Sequence, residues 1–307
     1  MTAQSFHERR SDTSPVLWTG CSRTLRRVRD LGRGVIRSKR RDHTYGRGLL
    51  YVLNAANASA AAANVAGFHV DEDGRLHPIA GATRPLSSAH PNPAQVLLSP
   101  AGRHLLVTEK GLNPFTQQNT GMIDIYDVSR DGSLSGPISV PSVGLYPFGM
   151  AFDPARRQEV LVDDGFSGAV TAYRLSDNHL NLVDGPVADH QIAPCWMIMT
   201  RDGRFAYTSN ADSQTISGYR IHPDGSITLL DADGATGTTP ADTFPLEESL
   251  SRNSRFLYVL DSRLLLPTGP GPATLSGFRI EHDGHLTQIV DPSSISLPFS
   301  AIGQTAD

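Results

Sequence analysis

One pattern recurs five times along this chain, and it limits the possible folds more than any single motif. Aligned on an aromatic residue, the copies read NVAGFHV (64–70), MIDIYDV (122–128), AVTAYRL (169–175), TISGYRI (215–221) and TLSGFRI (274–280). The aromatics Phe68, Tyr126, Tyr173, Tyr219 and Phe278 are separated by 58, 47, 46 and 59 residues. In four copies the residue before the aromatic is small: Gly67, Ala172, Gly218 or Gly277. A small residue beside a large one suits sheets packed face to face, one filling the space the other leaves. Repeats of this length are too long for most solenoids and fit the blades of a β-propeller.

The clearest copy spans 194–231. It holds four short apolar runs, at 196–200, 205–210, 216–221 and 227–231, which read as strands A to D of an antiparallel meander. The turn between C and D carries Asp-Gly at 73–74, 131–132, 224–225 and 283–284, because a tight hairpin asks for positive φ. The third copy departs, with Asp177-Asn178. Strand B recurs as LLYVLN (49–54), HLLVTE (104–109), EVLVDD (159–164), FAYTSN (205–210) and FLYVLD (256–261), each ending on a polar residue. Strand A recurs at 94–99, 148–153, 196–200, 246–251 and 299–304. The first copy begins at strand B with no strand A before it, and the final strand A, at 299–304, has no strand B after it. The expected fold is therefore all-β, a propeller of about five four-stranded antiparallel blades. The final strand A would pair with the opening strands, which removes exposed edges.

Charge divides the chain near Gly48. Residues 1–48 hold 11 Arg and one Lys against four acidic residues, a net +8, whereas the remainder holds 15 basic and 27 acidic residues, a net −12. The first segment shows no strand alternation and no apolar core of a signal peptide. A basic helix over 22–37 would be weakened by Gly32 and Gly34. The expected division is a solvated, non-repeat extension over 1–48, foreign to the fold, and a propeller domain over 49–307. A basic arm for nucleic acid is the less favoured reading, so no nucleic-acid partner is expected. No run approaches the length of a membrane span, so no membrane partner is expected either. The two cysteines, Cys21 and Cys195, build no disulfide framework, which makes a reducing, cytoplasmic compartment the default.

In a propeller, the residues just before strand A and just after strand B converge at one end of the central channel. Here these are Asn54, His90, Glu109, Lys110, Phe148, Asp163, Asp164, Cys195, Trp196, Asn210 and Asp261. The long insertions at 111–121 and 262–274 fall on the same face. Opening a lactone requires a general base and a donor for the developing oxyanion. Glu109 is the candidate base and Lys110 the candidate oxyanion partner, with the other nine as candidate substrate contacts. The bland reading is that the polar ends of strand B cap their own blades. The histidines lack ligand spacing, so no metal is expected, and no motif for an organic cofactor is present.

The strings LSPAGRHLLVTEKG (98–111), TRDGRFAYTSNADSQTISGYRIHPDGSITLLD (200–231) and SRNSRFLYVLD (251–261) resemble the lactonase-type β-propeller family. That family includes one class of 6-phosphogluconolactonases and the fungal carboxymuconate-cyclising enzymes. The resemblance implies a seven-bladed pattern, of which this chain supplies five, and a small lactone or organic acid as ligand. It also implies Pro-His before one innermost strand and Arg-His before another. Those places here read Pro93-Ala94 and Pro194-Cys195-Trp196, and an acidic residue after a later strand B is replaced by Asn210 or Ala211. Glu109 keeps acidic character where many relatives have Asp. The implied functions are lactone hydrolysis or formation, or a non-catalytic propeller that binds a metabolite or protein.

Overall fold

The computed structural model describes residues 39–55, 62–88, 91–111, 121–155, 158–263, 271–291, 295–298 and 301. They contain strands and turns and no helix. Blade 1 comprises β1 (Lys39–Gly46), β2 (Leu49–Ala55), β3 (Asn64–Val70) and β4 (Leu76–Pro78), with β5 (Arg84–Pro85) also on β3. Blade 2 is β6 (Pro93–Leu98), β7 (His104–Glu109), β8 (Met122–Val128) and β9 (Leu134–Pro141). Blade 3 follows with β10 (Pro147–Phe152), β11 (Glu159–Asp164), β12 (Ala169–Ser176) and β13 (His179–Ala188). Blade 4 has β14 (Pro194–Met199), β15 (Phe205–Asn210), β16 (Thr215–Ile221) and β17 (Ile227–Leu229), plus β18 (Gly237–Thr238) on β16. Blade 5 has β19 (Phe244–Leu250), β20 (Phe256–Ser262), β21 (Ala273–Ile280) and β22 (Leu286–Val290), plus β23 (Ser296–Leu297) on β21. All pairings are antiparallel, so the five repeats are five meander sheets, an all-β propeller arrangement.

The first strand corrects the expected boundary. Lys39–Gly46 is strand A of blade 1 and pairs with β2 from Lys39↔Ala55 to Gly46↔Leu49. Its sequence, KRRDHTYG, shows no apolar alternation, so it reads as part of the basic extension. Side chains hold it to blade 2 instead: Asp42 Oδ2 accepts from Val96 N at 3.1 Å, and Thr44 Oγ1 from Leu98 N at 3.2 Å. The place expected for the last strand A is thus already taken by β1, and 299–304 lies outside the described residues apart from Ala301. The expected helix at 22–37 also lies outside them.

Adjacent blades are joined by apolar cores whose members the alternation explains. Leu49, Tyr51, Leu53 and Val65 face Val96, Leu105, Val107 and Tyr126 across the first seam. Comparable cores join blade 2 to 3, 3 to 4 and 4 to 5. Among the described residues, no such core joins blade 5 to blade 1.

The small residue before the aromatic also has a steric cause. Gly67 lies opposite Tyr51, whose ring would stand 2.8 Å from a Cβ at that place, and Val290 fills the same space over Gly277.

Candidate functional site

Strand A begins with proline in blades 2, 3 and 4 and carries it second in blade 5, and each proline pairs with a polar residue at the end of strand B or, in blade 5, one residue before it. The pairs are Pro93↔Glu109, Pro147↔Asp164, Pro194↔Asn210 and Pro245↔Asp261. A register shift follows every one of these prolines. Proline has no N–H for the ladder and is tolerated at strand ends and bulges. The residues just after the prolines, Ala94, Phe148, Cys195 and Leu246, then gather into one cluster with Tyr146, Ala193, Trp196 and Ala211. Phe148 and Trp196 meet edge to face, with ring centroids 5.7 Å apart. The Lys110 ammonium lies 4.8 Å from the Phe148 ring centre and 5.5 Å from that of Tyr146. Of the expected site residues, Lys110, Phe148, Cys195 and Trp196 are therefore brought together, in an apolar, aromatic mouth.

The strand-B ends behave differently. Each is buried and bonded to strand C of its own blade. Asn54 donates to Asn64 Oδ1 at 3.0 Å, and Thr171 Oγ1 donates to Asp164. Asn210 Nδ2 donates to Thr215 and Ser217, at 3.1 and 2.8 Å, and Ser276 Oγ donates to Asp261 at 2.6 Å. Glu109 accepts from Ser87 N at 2.9 Å, accepts from the Ser87 hydroxyl, and shares a hydrogen bond with Asp124. The partner two residues before the strand-C aromatic is Asp124, Thr171, Ser217 or Ser276, and blade 1, with Ala66 there, uses Asn64 instead. These partners escaped the sequence reading although a polar residue recurs at that fixed offset.

Burial then sets the protonation of these carboxyls. Asp164 is pushed up to about 8 and Asp261 to about 7, both chiefly by loss of solvation, with Thr171 and Ser276 respectively opposing the rise. Asp124 is pushed up to about 8, by burial first and then by its bond to Glu109 and that group's charge. Asp163 and Glu248 lie deeper. Burial raises both far above the carboxylate range, helped by Asp189 and Asp164 for the first and by Asp163 and Glu247 for the second. The Thr208 hydroxyl lowers Asp163, yet neither oxygen of Asp163 or of Glu248 meets a well-formed hydrogen bond among the described residues. Close approaches keep the acids in place: a Cβ at Gly144 would overlap the Asp164 carboxylate, and one at Gly149 would stand 2.8 Å from Asp163 Oδ2.

A separate cavity of about 520 Å3 opens at the same end of the sheets, between the connection from blade 4 to blade 5 and the end of β20. Thr239, Thr243, Arg263, Thr274 and Gln288 line it. Arg263 Nε, Thr239 Oγ1 and Thr274 Oγ1 are buried and meet no hydrogen-bond partner among the described residues. These residues are distant in sequence, so no local motif announces them. His90 lies outside the described residues, as do 112–120 and 264–270 within the two long insertions. Among the described residues, no three His, Cys, Asp or Glu side chains are placed to hold a metal ion, and no helix is long and apolar enough to cross a membrane.

No protein-family model and no curated protein matches the chain. Solved structures do. A periplasmic gluconolactonase from Pseudomonas aeruginosa superposes with a TM-score of 0.65 at 21% identity, over 81% of this chain and 70% of its own. A Lactobacillus plantarum protein gives 0.61 at 20% identity, covering 81% and 69%. A candidate 6-phosphogluconolactonase from Bacteroides fragilis gives 0.61 at 16% identity, covering 80% and 68%. The fold is that of the lactonase-type β-propellers. Here the strand-A heads carry Ala94, Phe148, Cys195 and Leu246, and no histidine stands among them. Cys195 is fully buried in the mouth cluster, a packed thiol.

Proposed function

We propose that this chain is a lactonase-lineage propeller that binds a small hydroxylated organic acid, such as a sugar acid or its lactone, and does not turn it over. The observation that carries the reading is the state of Glu109. Its carboxylate is 1% exposed, engaged by both the N–H and the hydroxyl of Ser87, and tied to Asp124. A general base must reach the water it activates. Burial also raises Asp163, Asp164 and Asp261 at the same end of the sheets, which disfavours the ionised form that a base needs. The binding side of the reading rests on the cavity beside β20. A guanidinium and two buried hydroxyls with unused hydrogen-bonding capacity match a carboxylate and its neighbouring hydroxyls.

Hydrolysis is the second reading, favoured by the gluconolactonases among the structures of the same fold. One pair of measurements separates the two. Calorimetric titration with gluconate and 6-phosphogluconate is expected to give saturable binding that Arg263→Ala weakens at least tenfold. Opening of glucono-δ-lactone and 6-phosphogluconolactone is expected to proceed at the spontaneous rate. Faster opening that Glu109→Gln abolishes would establish hydrolysis with Glu109 as its base; absence of binding to either acid would reject the binding reading.

A further inference from the structure

The end of the sheets opposite the mouth carries the other sign of charge near the A–B turns. In blades 1, 2, 4 and 5 these turns hold arginine: Arg47, Arg103, Arg201, Arg252 and Arg255. Successive turns touch, since Arg47 Nη1 donates to the Ala101 carbonyl at 2.8 Å and Arg201 N donates to Ser254 Oγ at 3.1 Å. The guanidinium groups of Arg103, Arg201, Arg252 and Arg255 have no hydrogen bond or ion pair among the described residues. Such a row of unspent donors is not needed to hold the turns together.

Under blades 1 to 3 the turns border a groove of about 1140 Å3, lined by Arg47, Arg103, Arg130 and His104. Arg130 comes from the C–D hairpin of blade 2 and, like Arg103, has no partner among the described residues. Arg47 is set in place by its surroundings. It stands at φ 58°, in the left-handed region that few non-glycine residues adopt. Gly102 leaves room for its stem, because a Cβ there would lie 2.6 Å from Arg47 Cδ. Two carboxylates, Asp127 and Asp177, also line the groove. That of Asp127 is engaged, accepting from Asn178 Nδ2 at 2.7 Å with His104 Nε2 3.7 Å away. Three arginines against two aspartates leave 3 − 2 = +1 before His104 is counted.

We propose that this groove binds a small compound bearing two or more linked phosphate groups, through Arg47, Arg103 and Arg130. A guanidinium matches phosphate oxygens with paired N–H bonds, a geometry that neither an ammonium nor an imidazole offers. Three of them, brought from three separate loops, suit a chain of phosphates better than a single carboxylate. The surroundings set the size of the ligand. Asp73, Asp131, Asp224 and Asp283 are exposed on the C–D hairpins of the same end, so a nucleic-acid duplex or an anionic bilayer laid across it would meet both signs. A short phosphate chain enters the groove and avoids them. The groove lies at the end of the sheets away from the Arg263 cavity, so the inference stands apart from the sugar-acid reading.

Calorimetric titration of the full chain with inorganic tripolyphosphate, pyrophosphate and orthophosphate tests this. Tripolyphosphate is expected to bind saturably and one-to-one, pyrophosphate more weakly and orthophosphate most weakly. Arg103→Ala and Arg130→Ala are each expected to weaken tripolyphosphate at least tenfold with urea midpoints unchanged, since neither side chain has a partner to lose. Arg47→Gly removes the third guanidinium in a conformation that glycine accepts, and is expected to weaken binding without lowering the midpoint. ATP that binds at least as well as tripolyphosphate supports a nucleotide as the source of the phosphates; ATP that is excluded while tripolyphosphate binds supports the inorganic chain. Millimolar gluconate is expected to leave the tripolyphosphate isotherm unchanged, and displacement would overturn the proposal by placing both ligands in one site. Absence of saturable tripolyphosphate binding would overturn it too, as would binding that survives the Arg103→Ala, Arg130→Ala double variant. A single-stranded oligonucleotide that binds more tightly than tripolyphosphate would replace it with a nucleic-acid surface.

Discussion

Blades 2 and 4 place different chemistry on one scaffold. Both end strand B opposite a strand-A proline, and both tie that end to strand C two residues before the aromatic. Blade 4 does so with Asn210, Thr215 and Ser217, whose neutral groups need no adjustment on burial. Blade 2 uses Glu109 and Asp124, and burial beside Glu109 raises Asp124 above the carboxylate range. The position is therefore a structural clasp in every blade, and its charge is a local variable. A carboxylate at the end of a propeller strand is weak evidence for a catalytic base unless its other bonds are known.

The largest expected effect is on stability against pH. Asp124, Asp163, Asp164, Glu248 and Asp261 all have folded-state values raised above their unfolded ones. The folded chain then binds more protons than the unfolded chain between pH about 4 and about 8. Stability contributed by these groups is fully present below the unfolded values and is lost as pH rises through the folded ones. The urea midpoint is expected to be several tenths molar or more higher at pH about 5.5 than at about 8.5, because each tenfold gain in a carboxyl's proton affinity on folding is worth about 1.4 kcal/mol. A higher midpoint at the alkaline pH would contradict the raised values of these groups.

Giving blade 4 the chemistry of its neighbours is the next test. Asn210→Asp is expected to cost about 3 kcal/mol at pH about 8.5 and much less near pH 5, because the new carboxyl must be protonated to stay buried. The reverse change, Asp164→Asn, is expected to flatten the pH dependence. Equal destabilisation by Asn210→Asp at both pH values would show that shape, not charge, rules the position.

Smaller effects follow within blade 2 and at the seams. Glu109→Ala is expected to cost about 2 kcal/mol by removing a buried side chain together with its bonds from Ser87, and Glu109→Gln about 1 kcal/mol or less. Chemical denaturation of the two variants side by side checks the difference. Tyr207→Phe is expected to cost about 1 kcal/mol through the lost bond to the Gly284 carbonyl. An unchanged unfolding midpoint would mean that this bond contributes nothing to the seam between blades 4 and 5.

Most of the fold was legible because antiparallel meanders leave period-two alternation and Asp-Gly turns in the sequence. The strand-B copies coincide with β7, β11 and β15 at both ends, and extend by one residue in β2 and β20. Strand β1 was not legible, because its stability comes from the ladder to β2 and from Asp42 and Thr44, not from apolar residues of its own. The site divided in the same way. Lys110, Phe148, Cys195 and Trp196 lie near one another because strand heads converge whatever their residues. Topology was silent on whether Asp164 or Asn210 points into the mouth or back to its own blade, which depends on a hydroxyl in another strand. The Arg263 cavity was invisible, being assembled from a connection and a strand end that are far apart in sequence.

The prolines near the head of four inner strands carry a packing consequence. Each is followed by a shift in the ladder, and the next residues, Ala94, Phe148, Cys195 and Leu246, come from four blades into one buried cluster. Blades 2 to 5 therefore share a core at this end as well as at their seams. A change of volume at any one of the four positions is felt by its three neighbours from other blades.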